Sequence, residues 1–176
     1  MNLKKVAGFA PAIVLLAVCG AVGSKATAAP LIATQAVVAT PMAQFSEPWA
    51  MTFLPDGRLL VTEKRGQLKV YTVGGSTANI TGVPTVSYGG QGGLADVVLH
   101  PGFAANNLIY FSFAEAGANN TRGTAVARAR LTLSPQGGGS LSNVQVLWRQ
   151  APKVTGPNHF VRLQLRLAHR LEWRSL

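Results

Sequence analysis

The 176-residue chain has one cysteine, 6 acidic side chains and, between residues 40 and 160, no convincing amphipathic helix pattern. The lone Cys19 excludes a disulfide framework and any cysteine-rich zinc site. Only 12% of residues are charged while 48% are hydrophobic, a balance that excludes a disordered chain. The acidic deficit leaves a net charge of +10, which at first suggests nucleic acid. Its distribution argues otherwise. Lys4, Lys5 and Lys25 stand in a leader-like segment, and four arginines stand in the last 16 residues. Residues 29–160 carry nine Lys/Arg against five Asp/Glu, with no basic stripe interleaved with aromatics. No nucleic-acid partner is expected.

What is abundant is turn chemistry: 19 glycines and 10 prolines, without a collagen period. Residues 1–28 read as a secretory signal peptide. Lys4 and Lys5 precede an apolar run from Val6 to Val22, and Ala26-Thr27-Ala28 supplies the small-x-small pattern for cleavage after Ala28. An uncleaved anchor is the alternative, but Gly8, Pro11 and Gly20 interrupt a run already short for a bilayer core. No stable membrane insertion is expected after cleavage. A lipoprotein is a second alternative: Leu16-Ala17-Val18-Cys19 outlines a lipobox, with Val18 bulky where a small residue belongs. Cleavage after Ala28 leaves no cysteine, which rules out a thiol enzyme and suits a periplasmic or secreted protein.

Residues 29–40 read as a linker, and residues 41–160 as a run of short strands and turns. Trp49–Leu54 is apolar and ends at Pro55-Asp56-Gly57, where proline presets φ and glycine accepts a positive one. Arg58–Thr62, Gln67–Thr72, Leu94–Leu99, Leu108–Phe113, Ala125–Leu133 and Val144–Trp148 follow as strand candidates. A weak repeat relates Ala50-Met-Thr-Phe-Leu-Pro55 to Asp96-Val-Val-Leu-His-Pro101, the prolines 46 residues apart. A period of that size with about four strands per unit predicts β-propeller blades. A β-sandwich of about eight strands competes, without explaining the repeat. In residues 161–176, Gly and Pro vanish, and Arg162, Arg166, Arg170 and Arg174 recur every fourth position. This anomalous tail reads as a basic amphipathic helix, a solvated end or out-of-frame translation.

Pro48-Trp-Ala-Met-Thr-Phe-Leu-Pro-Asp-Gly-Arg-Leu-Leu-Val-Thr-Glu63, Gly90-Gln-Gly-Gly-Leu94 and His100-Pro-Gly-Phe103 followed by Ile109-Tyr-Phe-Ser112 resemble one known family. They look like the N-terminal part of the soluble pyrroloquinoline quinone (PQQ)-dependent aldose sugar dehydrogenases, the glucose/sorbosone dehydrogenase family. The resemblance implies an all-β fold: a partial six-bladed β-propeller, about two blades and the start of a third. It implies PQQ and calcium as cofactors, with most of their binding positions beyond this chain, and oxidation of the anomeric carbon of an aldose by hydride transfer to the quinone. The electron acceptor is left open.

By this resemblance His159 is the general base, a task that suits an imidazole near neutral pH. Gln91 lies at the substrate and cofactor pocket, where its amide can both donate and accept. Asn158 contacts sugar hydroxyls. Without the resemblance, His159 reads as a surface residue and Gln91 as a turn residue. His100 reads as structural. Asp96 and Glu115 are too isolated for an acid/base pair or a calcium site. No metal ligand is assigned. In the family an Arg-Leu pair follows the histidine by four residues, whereas Arg162 follows His159 by three, which favours a frame slip after Phe160. The chain alone is expected to be inactive; the alternative is a secreted, non-catalytic binding module that closes a ring by oligomerisation.

Overall fold

The computed structural model of the chain describes residues 38–156. Residues 1–28, read above as a signal peptide, Asn158, His159 and residues 161–176 lie outside the described residues. Among the described residues the fold is all-β, with nine strands and one four-residue helical turn. No described helix is long and apolar enough to cross a membrane.

The strands form two antiparallel meanders of four. The first comprises β1 (Pro48–Phe53), β2 (Leu59–Glu63), β3 (Gln67–Tyr71) and β4 (Thr77–Thr81). The second comprises β5 (Leu94–Leu99), β6 (Leu108–Ala116), β7 (Thr121–Leu133) and β8 (Gly139–Arg149). Their last strands touch in a short parallel pairing, Ile80 with Gly139 and Thr81 with Ser140. The pairing path therefore runs from β1 to β5 and stays open at both. A short β9 (Val154–Thr155) pairs with the start of β7.

One core lies between the meanders. Leu60, Leu68, Val70 and Ile80 come from the first; Ile109, Phe111, Phe113 and Leu131 come from the second. The period-2 alternation of a strand explains who faces it. Along β7, Ala125, Ala127 and Ala129 are fully buried, and Arg128 and Arg130 point the other way. Methyl-sized side chains in the middle of the sheet leave room for the aromatic rings of β6.

The repeated prolines occupy equivalent turns. Pro55 stands between β1 and β2, where the Gly57 N–H donates to the Leu54 carbonyl at 3.0 Å and Gly57 has φ 84°. Pro101 stands between β5 and β6, beside the turn α1 (Phe103–Asn106). There His100 Nδ1 accepts the Gly102 N–H at 2.9 Å and lies 2.8 Å from the Asn106 amide, while its ring stacks on Tyr110. His100 is structural, as its place in the repeat implies. The sequence reading missed β4 altogether. Thr77-Ala-Asn-Ile-Thr81 buries only Ile80, so it carries almost no apolar signal and is a strand because β3 and β8 flank it.

Candidate functional site

The two first strands of the meanders, β1 and β5, lie side by side. Thr62, fully buried on β2, ties them together. Its hydroxyl donates to the Ala95 carbonyl at 2.7 Å and accepts the Ala50 N–H at 3.0 Å. Leu94 N–H donates to the Lys64 carbonyl at 3.0 Å, so the β2–β3 turn also grips the start of β5. That approach demands glycine at position 93. A Cβ there would lie 2.1 Å from the Lys64 carbonyl oxygen.

Over this seam opens a cavity of about 120 Å³, with Trp49, Gln91, Asp96, Ser112 and Thr124 in its lining. Gln91 is exposed and sits on a tight loop in which the Gly92 N–H donates to the Gly89 carbonyl at 2.8 Å. Gly90 takes φ 53°, the left-handed region. Gln91 thus stands at the mouth of this cavity. The structure brings Asp96 into the same cavity, a carboxylate that sequence reasoning set aside. The reason is a bulge: register shifts between Leu94 and Val97, so simple alternation does not tell which way Ala95 and Asp96 face. The Asp96 N–H donates to Ser112 Oγ at 3.2 Å, and Ser112 is itself buried. The only signal for Asp96 was its five-residue distance from Gln91. Asn158 and His159 lie outside the described residues, so their placement beside Gln91 is not part of this geometry.

The surrounding electrostatics are mixed. Arg122 approaches the loop from β7; a Cβ on Gly89 would come within 3.5 Å of its Nη1. Its Nε is a buried polar atom without a hydrogen-bond partner among the described residues. Glu115, the other set-aside acid, stands elsewhere. Arg149 and Lys153 bind its carboxylate at 2.9 and 2.7 Å, and the Arg149 hydrogen bond above all holds its pKa below the ordinary glutamate value. Among the described residues no group of three or more His, Cys, Asp or Glu could hold a metal ion.

Comparison with known proteins gives this architecture a class and then a family. The solved apo-form of the soluble aldose sugar dehydrogenase of Escherichia coli matches with a TM-score of 0.60 at 40% identity, covering 65% of this chain and 33% of that one. A solved glucose dehydrogenase matches with a TM-score of 0.62 at 40% identity, covering 68% of this chain and 35% of that one. A PQQ-bound aldose sugar dehydrogenase from Streptomyces coelicolor, 24% identical with a TM-score of 0.55, shares the fold, covering 65% of this chain and 34% of that one. The two meanders are blades of a partial β-propeller of the sugar dehydrogenase type. In sequence, the aldose sugar dehydrogenase YliI of Escherichia coli is 40% identical over 119 residues, 66% of this chain and 31% of that protein. The sequence model of the Glucose / Sorbosone dehydrogenase family matches residues 45–170, and the chain belongs to that family. It spans about a third of the length of the relatives it matches.

Proposed function

We propose that these two blades form part of the pocket of a PQQ-dependent aldose dehydrogenase that oxidises the anomeric carbon of a sugar. The observation that carries the reading is the glycine loop that presents Gln91 above a cavity at the meeting of β1 and β5. The donor set suits an anionic quinone. The Gln91 amide can donate to a quinone oxygen, and the Arg122 guanidinium, whose Nη1 approaches Gly89, offers positive charge to a carboxylate. When bound, PQQ supplies the hydride acceptor. The side chains of this chain would bind and orient: Gln91 would hold the cofactor or a sugar hydroxyl, and Asn158 would contact the sugar. His159 takes the hydroxyl proton as general base. Calcium is different: among the described residues no group of three or more His, Cys, Asp or Glu gathers to hold it.

The chain spans a third of its relatives, and these blades alone bind cofactor weakly and do not turn over. Mixed with PQQ, calcium and glucose, the purified chain should reduce no dye. Residues 41–156 grafted in place of the matching third of the Escherichia coli enzyme should restore glucose-dependent dye reduction. Gln91→Ala should then lower it by roughly tenfold or more, since a lost oriented donor is worth at least that factor. A folded, PQQ-binding graft that is indifferent to Gln91→Ala removes Gln91 from the pocket. The leader-like residues 1–28 support export to the periplasm or beyond, which fractionation of expressing cells would check.

A second reading has its own observation. Met51 and Phe53 on β1 are each 65% exposed, and Leu147 and Trp148 on β8 are 48% and 43% exposed. Such apolar surface suits a secreted, non-catalytic module that closes a ring with further copies. A discrete trimer in size-exclusion chromatography would favour that module; a monomer or ill-defined aggregates would favour the dehydrogenase portion.

A further inference from the structure

We propose that Tyr88 is a positioning residue, clamped by Glu47, Lys64 and Arg65 of the first blade so that the Gly89–Gly93 loop holds Gln91 over the cavity. The proposal rests on the reading that Gln91 contacts ligand. Tyr88 is the residue immediately before the loop. Its hydroxyl donates to the Glu47 carboxylate at 2.9 Å from one oxygen and 3.1 Å from the other. Arg65 Nε donates to the same carboxylate at 3.1 Å. The Tyr88 ring lies 4.6 Å from the Arg65 guanidinium and 5.5 Å from Lys64 Nζ. Lys64 Nζ also donates to the Gly90 carbonyl, inside the loop itself. The carboxylate hydrogen bond holds the Tyr88 hydroxyl above its ordinary pKa, so the donor stays protonated well into alkaline solution.

Glu47 stands in an uncommon backbone state. Its φ is 49°, a left-handed value that glutamate adopts at a cost. The Lys64 N–H holds its carbonyl at 3.0 Å, and Arg65 and Tyr88 hold its carboxylate. A single exposed ion pair contributes little. Here one carboxylate, one ring and two cations share contacts, and three of the four come from the first blade, far from the loop in sequence. The loop needs them. Glycine fills positions 89, 90, 92 and 93, and glycine loses more backbone freedom on ordering than any other residue. A loop left free would charge that ordering to ligand binding. The clamp settles it beforehand.

Amide hydrogen exchange on the full chain tests this. In Tyr88→Ala the Gly89 and Gly92 amides should exchange about tenfold faster, the factor that two lost exposed cation–π contacts amount to. Amides of β6 other than that of Ala114, which donates to the Gly93 carbonyl, should not change, and Tyr88→Phe, which keeps the ring, should show a smaller rise. In a PQQ titration followed by tryptophan fluorescence, Tyr88→Ala should weaken binding about tenfold, and add nothing in a Gln91→Ala background. Unchanged loop exchange, or an equal rise in β6, overturns the clamp. So does a Tyr88→Ala effect on affinity that persists undiminished without Gln91. A folded graft of residues 41–156 in the Escherichia coli enzyme that never binds PQQ overturns the ligand reading of Gln91, and the exchange result then decides the clamp by itself.

Discussion

The first blade buries side chains of β2 and β3 on both faces, whereas the second leaves a polar cavity against one of its own. In the first, Leu60, Leu68 and Val70 meet the shared core, and the opposite face buries Val61, Glu63 and Tyr71. The preceding segment covers that opposite face. Ser46 N–H donates to Glu63 Oε1 at 2.7 Å, the Tyr71 hydroxyl donates to the Met42 carbonyl at 3.0 Å, and Phe45 sets its edge against Tyr71. In the second blade the face opposite the core carries buried Ser112 and Thr124, and there the cavity opens. Equivalent strands thus serve two ends. Polar groups in the first blade bind the preceding segment, and polar groups in the second line a cavity.

That contrast can be broken at several strengths. The largest effect should come from the shared core. Phe111→Ala in the second blade should cost about 3–5 kcal/mol and Leu60→Ala in the first about 2–5 kcal/mol. Urea denaturation followed by circular dichroism should show one transition in each variant; two separate steps would mean that the blades do not share a core in solution. Next comes Glu63→Ala, which strips the acceptor from the Ser46 N–H and from Lys69, 3.1 Å away, on a buried face. A loss of about 1–3 kcal/mol is expected from the same measurement. Thr62→Val keeps the volume but leaves the Ala95 carbonyl and Ala50 N–H without their partner, for about 1–2 kcal/mol.

Smaller still is the effect of acid. Arg58 beside Asp56, and Arg149 with Lys153 beside Glu115, hold both carboxyls below their ordinary pKa values. Depressed values mean that each contribution is complete above about pH 4–5 and lost as pH falls through the ordinary and then the folded value. The Asp56 side chain is 48% exposed, so solvent screens its pair to well under about 1 kcal/mol. Melting temperature should therefore decline only gently below about pH 4, and Asp56→Asn should flatten part of that decline. Smallest of all, Gln91→Ala should leave stability within about 0.5 kcal/mol, because its side chain is exposed. A large loss there would make Gln91 a structural residue and erase the difference between the blades.

Most of the blade architecture was legible because it is written in local chemistry. Pro55-Asp56-Gly57 reads as a turn from its own residues, and the alternation of Ala127, Ala129 and Leu131 with Arg128, Arg130 and Thr132 is a strand with one buried face. β4 was not legible, because a strand with a single buried residue owes its existence to neighbours. The Gly90-Gln91-Gly92-Gly93 loop was legible through its motif, but the place of Asp96 at the same cavity was not, since a bulge on β5 breaks the alternation that would have aimed it. The tie between Glu47 and Tyr88 spans 41 residues and leaves no mark in either local sequence.

The sequence by itself determined an all-β chain of repeated four-strand units, with its family membership and its glycine loop, because periodicity, turn residues and motifs act over a few neighbouring positions. Only the tertiary structure decided which polar groups face a cavity and which are spent on packing. Those assignments depend on contacts between segments far apart in the chain, where a hydrogen bond or a close backbone approach is a matter of distance in space and not of order in sequence.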